Sequence, residues 1–278
     1  MGAFDISLSE QVTVDVVAAL KEDVGSGDIS APLALENERR CGVLYARQEA
    51  VFCGQSWFEA CFCQLDDKAI FDWRLQDGEQ LSSDIVVCEV QAQIRALLAA
   101  ERSALNFVQT LSATATLTHR WQALVGDVVI TDTRKTLPGL RVAQKYAVRV
   151  GSGTNHRMGL FDEILIKENH IAAAGGIKAA LTKACTLTDI KNIQIEVRSL
   201  ADLDIALAAG ARRVLLDNFS LPLLKDAVQR CSGQAELEAS GNVTEDKLAA
   251  IAATGVHRIS VGALTKNVQA VDFSFLIN

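Results

Sequence analysis

The sequence has little proline, no surplus of positive charge and no long apolar run. Only 3 of its 278 residues are proline, a composition that excludes collagen, linker arrays and low-complexity chains. The formal net charge is −7, so we expect no general affinity for nucleic acid or an anionic membrane. No uninterrupted apolar stretch approaches the roughly 18 residues of a membrane span. These absences leave a globular protein of one or two domains.

The cysteines show no pairing pattern. There are seven, an odd number, and none follows CxxC or zinc-ligand spacing. The expected state of all seven is burial among apolar side chains. The first residues are acidic and polar where a signal peptide needs a basic start and an apolar run. We therefore expect free thiols and a cytoplasmic location.

The first part of the chain carries short, irregular patterns. Residues 9–23 predict an amphipathic helix with Ser9 as its N-cap. From residue 94 a long helical pattern rich in Ala and Leu begins, which marks a junction between domains. Between them, strands are predicted at 42–51, 69–75 and 85–91, and a helix at 55–63.

After Gly126 strand-like runs alternate with helical segments. The six runs are DVVIT, EILIK, IQIEV, RVLLD, AELEA and HRISV. This alternation predicts a parallel sheet with crossover helices, and its even spacing favours a (β/α) barrel over an open sheet. No GxGxxG follows the first strand and no Walker sequence occurs, which counts against Rossmann and P-loop folds. Because a complete barrel has eight strands, either an incomplete barrel or unrecognised strands remain open.

Polar residues stand at the ends of these strands, where barrels form their active face. A lone strand-end acid often caps the next helix. Several acids and bases recurring at one rim favour a shared site instead. The strand-end residues are Asp132, Thr133, Arg134, Lys135, Lys167, Glu196, Asp217, Ser240, Gly241 and Gly262.

A basic stretch interrupts the acidic chain. Residues 134–170 hold seven Lys or Arg against three acids, a local patch that attracts an anionic small molecule. Arg141, Lys145 and Arg149 are spaced by four residues, which is also the pattern of a solvated helix face. The stronger anion-binding candidates are Arg134, Lys135, His156, Arg157 and Lys167.

Three further features complete the candidate site. Glu196 and Asp217 end neighbouring strands, and their hard oxygens suit Mg²⁺ shared with a phosphorylated substrate. The loops 239–243 and 261–264 carry glycine and bare backbone N–H groups where barrels often bind phosphate. The turn 151–157 places flexible backbone before a His and an Arg, although a plain helix C-cap explains its first glycine.

Several long motifs stand in order along nearly the whole chain. They are LKEDVGSGDIS (20–30), ERSALNFVQTLSATATL (101–117), DTRKTLPGLR with QKYAVR (132–149), NHRMGLFDEILIKENHI (155–171), VLLDN (214–218), LEASGNVT (237–244) and TGVHRISVGALTK (254–266). Together these motifs resemble the quinolinate phosphoribosyltransferase family. The resemblance implies an N-terminal α/β sandwich over residues 1–113, to which residues 266–278 return, and an incomplete parallel α/β barrel over 114–265.

The resemblance also implies a reaction. Quinolinate and phosphoribosyl pyrophosphate, with Mg²⁺ as cofactor, would give nicotinate mononucleotide, pyrophosphate and CO₂ in NAD biosynthesis. The family further implies a homodimer in which each active site receives Arg102 from the partner chain. Neither nucleic acid nor a membrane is expected as a partner.

Matching positions receive roles from the family. The carboxylates of quinolinate would be held by Arg102, Arg134, His156 and Arg157. Thr133 would add a substrate contact, and Glu196 and Asp217 would engage the ribose hydroxyls and Mg²⁺, partly through substrate and water. The catalytic set would be Lys135, Lys167, Glu196 and Asp217. The 5′-phosphate would lie at Ser240, Gly241, Gly262 and Ala263.

Two positions depart from the family's pattern, and three rival functions stay open. Ser152 stands where glycine is usual and would carry strain of about 1 kcal/mol if its φ is positive; Ser103 stands where Thr is common. The first rival is a same-fold paralogue acting on another anionic substrate, although the intact NHR and IKENH motifs count against the molybdenum-transport-associated branch. The others are a Schiff-base aldolase using Lys167 and a non-catalytic phosphate-binding module.

Overall fold

The computed structural model describes residues 7–35 and 38–278, which pack into two compact units. The first unit comprises the described residues up to His119 together with 136–152 and 267–278, and the second comprises 120–135 and 153–266. The domain boundaries predicted after residues 113 and 265 stay predictions. In the described part of the chain, no helix combines the length and the apolar composition that a membrane span requires.

Helices and strands follow one another irregularly at first and then alternate. The elements up to the long helix are α1 (Leu8–Val24), β1 (Arg39–Ala46), β2 (Ala50–Val51), α2 (Gln55–Cys63), β3 (Ile70–Trp73), β4 (Gln80–Leu81), β5 (Ile85–Gln93) and α3 (Ile94–Ala123). The later elements are β6 (Val129–Thr131), α4 (Arg141–Val150), β7 (Ile164–Ile166), α5 (Glu168–Ala174), α6 (Ile177–Cys185), β8 (Ile193–Val197), α7 (Leu200–Ala208), β9 (Arg213–Asp217), α8 (Leu221–Cys231), β10 (Glu236–Ser240), α9 (Leu248–Ala252), β11 (Arg258–Ser260), α10 (Ala263–Lys266) and β12 (Phe273–Ile277).

The first unit is built on an antiparallel sheet with strand order β12-β1-β5-β3. The last strand of the chain pairs with β1, from Gly42 opposite Ile277 to Ala46 opposite Phe273. The chain therefore returns to its first sheet at its end.

The N-cap predicted for α1 is wrong. Ser7, and not Ser9, caps the helix: its Oγ accepts the Glu10 N–H at 3.3 Å, while the Glu10 carboxylate accepts the Ser7 N–H at 2.8 Å. This reciprocal pair is a capping box, and it satisfies two amide groups that would otherwise lack partners. The helix consequently begins at Leu8, one residue earlier than expected.

Aromatic side chains fill the interior of the first unit. Phe52, Trp57, Phe58 and Phe62 are fully buried. The ring centroids of Phe58 and Phe62 lie 5.0 Å apart, and tilted or edge contacts continue from Phe58 to Trp73. Contacts of this kind add to the stability gained from burying the apolar area itself.

The second unit contains a parallel sheet with strand order β6-β11-β10-β9-β8-β7. Its members are the six strands predicted from the sequence. The first strand pairs with the last, as a barrel requires, and a parallel bridge between Thr131 and Thr154 adds one more residue pair beyond β6. No strand pairing joins that segment to β7 among the described residues. The incomplete parallel α/β barrel is therefore confirmed.

Two expectations about individual side chains are wrong. All seven cysteines are free, but Cys63 and Cys185 are exposed and Cys41 is half-buried, so uniform burial does not hold. Lys145 is fully buried in α4, so the pattern of a solvated helix face does not hold at this position, although Arg149 on the same helix is exposed.

The turn after α4 has the strain expected of it. Ser152 has a φ of +69°, in the left-handed region that favours glycine. A Cβ on Gly151 would lie 2.4 Å from the Ala115 carbonyl oxygen, so only glycine fits there. The turn is thus fixed by a close approach at one position and a strained serine at the next.

Candidate functional site

A cleft of about 450 Å³ opens at the carboxyl ends of the barrel strands. It brings together nine of the thirteen predicted site residues, and it lies wholly within the second unit. The predicted members are Thr133, Arg134, Lys135, His156, Arg157, Lys167, Glu196, Asp217 and Ser240. The other lining residues are Leu165, Arg198, Leu215 and Ser260.

Strand register explains why these residues meet. Successive strand residues point to opposite faces of a sheet, and the strand-end residues point inward. Ser240 lies opposite Asp217 on one neighbouring strand and opposite Ser260 on the other. One ring of strand ends therefore carries the polar groups, as the sequence pattern predicts.

One wall of the cleft is cationic. The Arg157 residue is only 9% exposed, and its Nη1 donates to the Glu163 carbonyl oxygen at 3.3 Å. Burial, together with the nearby Arg134 guanidinium, lowers the pKa of Arg157. Because two neighbouring guanidinium groups repel each other, an anion bound between them relieves an existing cost. This wall is suited to a carboxylate.

His156 is held firmly on both sides of its ring. Its Nδ1 accepts the Arg157 N–H at 2.8 Å, and its Nε2 lies 2.8 Å from Gln194 Oε1. This pattern assigns the ring proton to Nε2 when the ring is neutral. Its backbone N–H donates to Asp132 Oδ1 at 3.0 Å. The strand-end Asp132 thus fixes this turn and does not line the cleft.

A buried polar chain lies behind His156, and the sequence patterns did not identify it. Gln194 Nε2 donates to Glu238 Oε2 at 3.1 Å, and the same carboxylate oxygen lies 3.7 Å from Arg258 Nε. Glu238 is 1% exposed. Glu238 stands in the middle of β10, where an apolar residue is the usual occupant.

The opposite wall carries the two predicted acids, each beside a cation. Lys167 Nζ lies 3.2 Å from Glu196 Oε2, and Arg198 Nε lies 3.5 Å from Asp217 Oδ2. In the described ranges no group of three or more His, Cys, Asp or Glu side chains is placed to hold a metal ion. Two hard carboxylates fit Mg²⁺ that arrives with a phosphorylated substrate, since Mg²⁺ usually takes only one or two protein carboxylates.

The two glycine loops approach other residues closely. A Cβ on Gly241, whose φ is +102°, would lie 2.2 Å from Asn218 Oδ1. A Cβ on Gly262 would lie 2.9 Å from Lys135 Cδ, and Ala263 begins α10. The positive φ and the close contact therefore require glycine at 241, whereas at 262 a shift of the flexible Lys135 side chain would admit a Cβ. The role of both glycines in binding a phosphate stays a prediction.

Arg102 belongs to the first unit, while the cleft belongs to the second. It lies on α3 with its side chain 59% exposed, 3.7 Å from Glu101. Of the residues that line the cleft, the sequence analysis missed Leu165, Arg198, Leu215 and Ser260. Alternation along each strand was the available signal, because Leu165 and Leu215 stand two residues before Lys167 and Asp217.

Comparisons with known proteins agree with this geometry. The family model for the N-terminal domain of quinolinate phosphoribosyl transferase matches residues 28–112, and the model for its C-terminal domain matches residues 114–276. Quinolinate phosphoribosyltransferase [decarboxylating] 1b of Nicotiana tabacum is 36% identical over 284 residues, covering 94% of this chain and 80% of the relative. A probable nicotinate-nucleotide pyrophosphorylase [carboxylating] of Bacillus subtilis is 38% identical over 257 residues, covering 91% and 89%.

Solved structures give the same result. The nicotinate-nucleotide pyrophosphorylase from Francisella tularensis superposes with a TM-score of 0.94 at 42% identity, and each chain is covered completely. NadC from Streptococcus pyogenes superposes with a TM-score of 0.93 at 35% identity, over 99% of each chain. With both domain models matched in order and relatives of this identity, the chain belongs to the quinolinate phosphoribosyltransferase family.

Proposed function

We propose that this chain transfers the phosphoribosyl group of phosphoribosyl pyrophosphate to quinolinate with loss of CO₂, forming nicotinate mononucleotide and pyrophosphate for NAD biosynthesis. One observation carries the proposal: a single cleft has two adjacent guanidinium groups on one wall and two carboxylates on the other. A pyridine dicarboxylate suits the first wall. A ribose with its hydroxyls and metal-bound pyrophosphate suits the second.

The cationic wall orients quinolinate. Arg134 and Arg157 pair with its carboxylates, because guanidinium groups bind carboxylates in a bidentate manner. His156 keeps Arg157 in place, because its Nδ1 accepts the main-chain N–H of Arg157, and it adds a polar ring to the substrate pocket. Thr133 and Lys135, which follow β6 directly, complete this side; the Thr133 Oγ1 accepts the Lys135 N–H at 3.0 Å.

The acid wall receives the donor. Glu196 and Asp217 accept hydrogen bonds from the ribose hydroxyls, and Ser240 with Gly241, Gly262 and Ala263 surrounds the 5′-phosphate. Lys167 stands beside Glu196 and faces the bond that breaks. When Mg²⁺ is bound with the donor, it stabilises negative charge on the departing pyrophosphate. Lys135 and Lys167 stabilise the same charge from fixed positions.

The bond changes follow from the charges. The ring nitrogen attacks the anomeric carbon as the bond to pyrophosphate breaks, and the nitrogen becomes cationic. The bond from C2 to its carboxylate then breaks, its electron pair stays on C2 beside that cation, and C2 takes a proton as CO₂ leaves. No general base is required. A bell-shaped pH profile that disappears when His156 or Lys167 is replaced would contradict this step.

We infer a homodimer with Arg102 contributed in trans. The inference is supported by the exposure of Arg102 on the first unit and by its cationic character, which suits a dicarboxylate. Mixing two inactive variants, Arg102→Ala and Lys167→Ala, tests it. In mixed dimers one site has both native residues, so activity should return to about one quarter of the wild-type level. Absence of recovery after subunit exchange would rule out sharing.

We place the enzyme in the cytoplasm, with no nucleic acid or membrane as partner. The free thiols and the net charge of −7 support this placement. Fractionation of cells that express the full chain, followed by immunoblotting, tests it. Recovery in the soluble cytosolic fraction is expected, and enrichment in an organelle or membrane fraction would contradict it.

The rival functions differ in what they need from the cleft. A Schiff-base lysine is activated in an apolar, desolvated pocket, whereas Lys167 lies 3.2 Å from a carboxylate with half of its side chain exposed. A paralogue acting on a monocarboxylate would have no use for two adjacent arginines. A purely binding module would not release pyrophosphate.

One assay separates these possibilities. The purified chain is incubated with phosphoribosyl pyrophosphate and either quinolinate or nicotinate, with Mg²⁺ or with EDTA, and products are resolved by liquid chromatography. We expect nicotinate mononucleotide and CO₂ only in the mixture that contains both quinolinate and Mg²⁺ with phosphoribosyl pyrophosphate. Equal turnover of nicotinate, or trapping of an aldehyde by borohydride at Lys167, would contradict the proposal.

A further inference from the structure

An additional cation lies in the cleft beside the acids. Arg198 comes directly after β8 and lines the cleft together with Glu196 and Asp217. Its Nε lies 3.5 Å from Asp217 Oδ2, and its Nη1 pairs with the Glu168 carboxylate. We propose that Arg198 binds the pyrophosphate group of the donor, exchanging Asp217 for a pyrophosphate oxygen. The inference rests on the proposed function, because it takes this wall as the donor side.

The present partners of Arg198 are easily exchanged. Its side chain is 56% exposed and that of Glu168 is 64% exposed. Ion pairs open to water contribute little to stability, since both charges are well solvated when apart. Arg198 can therefore leave these carboxylates at small cost when a more highly charged anion arrives.

Free volume lies on both sides of the guanidinium. A second cavity of about 220 Å³ adjoins the cleft, and Glu196 and Arg198 line both. Glu168 and Asp202 also line the second cavity. Because Arg198 borders open space in both cavities and is exposed, its side chain has room to change rotamer without displacing the main chain.

Charge balance on this wall favours a pyrophosphate contact. Without Arg198, the carboxylates of Glu168, Glu196 and Asp217 would outnumber the neighbouring cation Lys167, and pyrophosphate approaching alone would be repelled. A guanidinium beside Asp217 counters that repulsion and offers two parallel N–H donors to phosphate oxygens. On the opposite wall, Arg134 and Arg157 are already assigned to the dicarboxylate. Arg198 is thus the arginine placed for the other anion.

Binding of inorganic pyrophosphate with Mg²⁺ tests the proposal by isothermal titration calorimetry, without turnover. Replacing one charge-assisted contact should weaken binding about tenfold in Arg198→Gln. Arg198→Lys should keep part of the affinity, because lysine supplies the charge but not the fork. Arg230→Gln is the matched control, since Arg230 forms a surface pair with Asp204 outside the cleft. Quinolinate should bind wild type and Arg198→Gln equally.

Each other outcome has a defined meaning. Wild-type affinity for pyrophosphate in Arg198→Gln, or tighter binding, would show that Arg198 only neutralises Asp217 and would overturn the proposal. The same conclusion follows if Arg198→Gln weakens quinolinate and pyrophosphate binding alike. A wild-type chain that binds pyrophosphate but forms no nicotinate mononucleotide would end the proposed function, while the Arg198 comparison would still be readable.

Discussion

The aromatic cluster of the first unit and the barrel interior of the second unit differ in character. The first unit packs aromatic rings against one another, with Phe58 and Trp57 fully buried. The barrel of the second unit encloses charged and amide groups, among them Glu238 and Gln194, at 1% and 2% exposure. An apolar interior contributes stability, whereas a buried polar chain costs desolvation and is stable only when its members are paired. In the second unit these paired polar groups lie behind His156, which lines the cleft.

Removing an aromatic ring should have the largest effect on stability. Phe58→Ala deletes a fully buried ring of the first unit, and we expect the free energy of unfolding to fall by about 3–5 kcal/mol. Denaturant unfolding followed by tryptophan fluorescence measures the change. Phe161→Ala, at an exposed position, should change it by less than about 1 kcal/mol. A similar loss in both variants would show that the aromatic cluster is not the main source of stability.

A substitution in the cleft should have the reverse effect, lowering activity strongly and stability little. Lys167→Ala should lower kcat about 10²- to 10³-fold, because a fixed charge is lost from the transition state. Its free energy of unfolding should fall by no more than about 1 kcal/mol, since the Lys167 side chain is half exposed, although that of Glu196 is 10% exposed. Lys191→Ala removes a surface lysine 3.6 Å from Asp189 and should leave both quantities unchanged. A large loss of stability in Lys167→Ala would show that the cleft, like the aromatic cluster, is a main source of stability.

Glu238 tests whether the polar interior contributes both to stability and to substrate binding. Glu238→Gln keeps the side-chain shape but removes the charge beside Arg258, so the free energy of unfolding should fall by about 2 kcal/mol. Because Gln194 and His156 depend on this carboxylate, KM for quinolinate should rise more than kcat falls. Glu236→Gln, on the same strand but 38% exposed, is the matched control. An unchanged KM would show that Gln194 and Glu238 support the fold but not substrate binding.

Backbone strain gives the smallest effect. Ser152 has a φ of +69°, so Ser152→Gly should raise the free energy of unfolding by about 0.5–1 kcal/mol, less the added entropy of the unfolded chain. Ser199→Gly should lower it, because Ser199 has a φ of −145° and its Oγ caps α7. Thermal unfolding measures both shifts. If the two variants moved in the same direction, strain at Ser152 would not be the cause.

The sequence predicted the architecture of the second unit well, for a physical reason. Each of the six strands is a short apolar run with a polar residue at or next to its carboxyl end, and most of these polar residues line the cleft. The regular spacing of the apolar runs therefore predicted the strands, and the polar residues at their ends predicted the site. Lys167 and Asp217 were identified in this way, and both line the cleft.

Other features depended on contacts that no local pattern reveals. Glu238 and Gln194 meet only because their strands pack around one interior, and Lys145 is buried by tertiary packing despite helical spacing typical of solvent. The helix cap moved from Ser9 to Ser7 because the reciprocal bonds with Glu10 decide the boundary. Arg198 comes one residue after β8, as Lys167 does after β7, but the local pattern did not distinguish it.

The central claim is that the Arg134 and Arg157 wall selects a dicarboxylate. Isothermal titration calorimetry of quinolinate and nicotinate, on wild type and on Arg157→Lys, tests it most directly. We expect wild type to bind quinolinate at least about tenfold more tightly than nicotinate, and Arg157→Lys to lose most of that preference, since lysine lacks the bidentate fork. Equal affinity of wild type for the two acids, or a preference that survives in Arg157→Lys, would contradict the account.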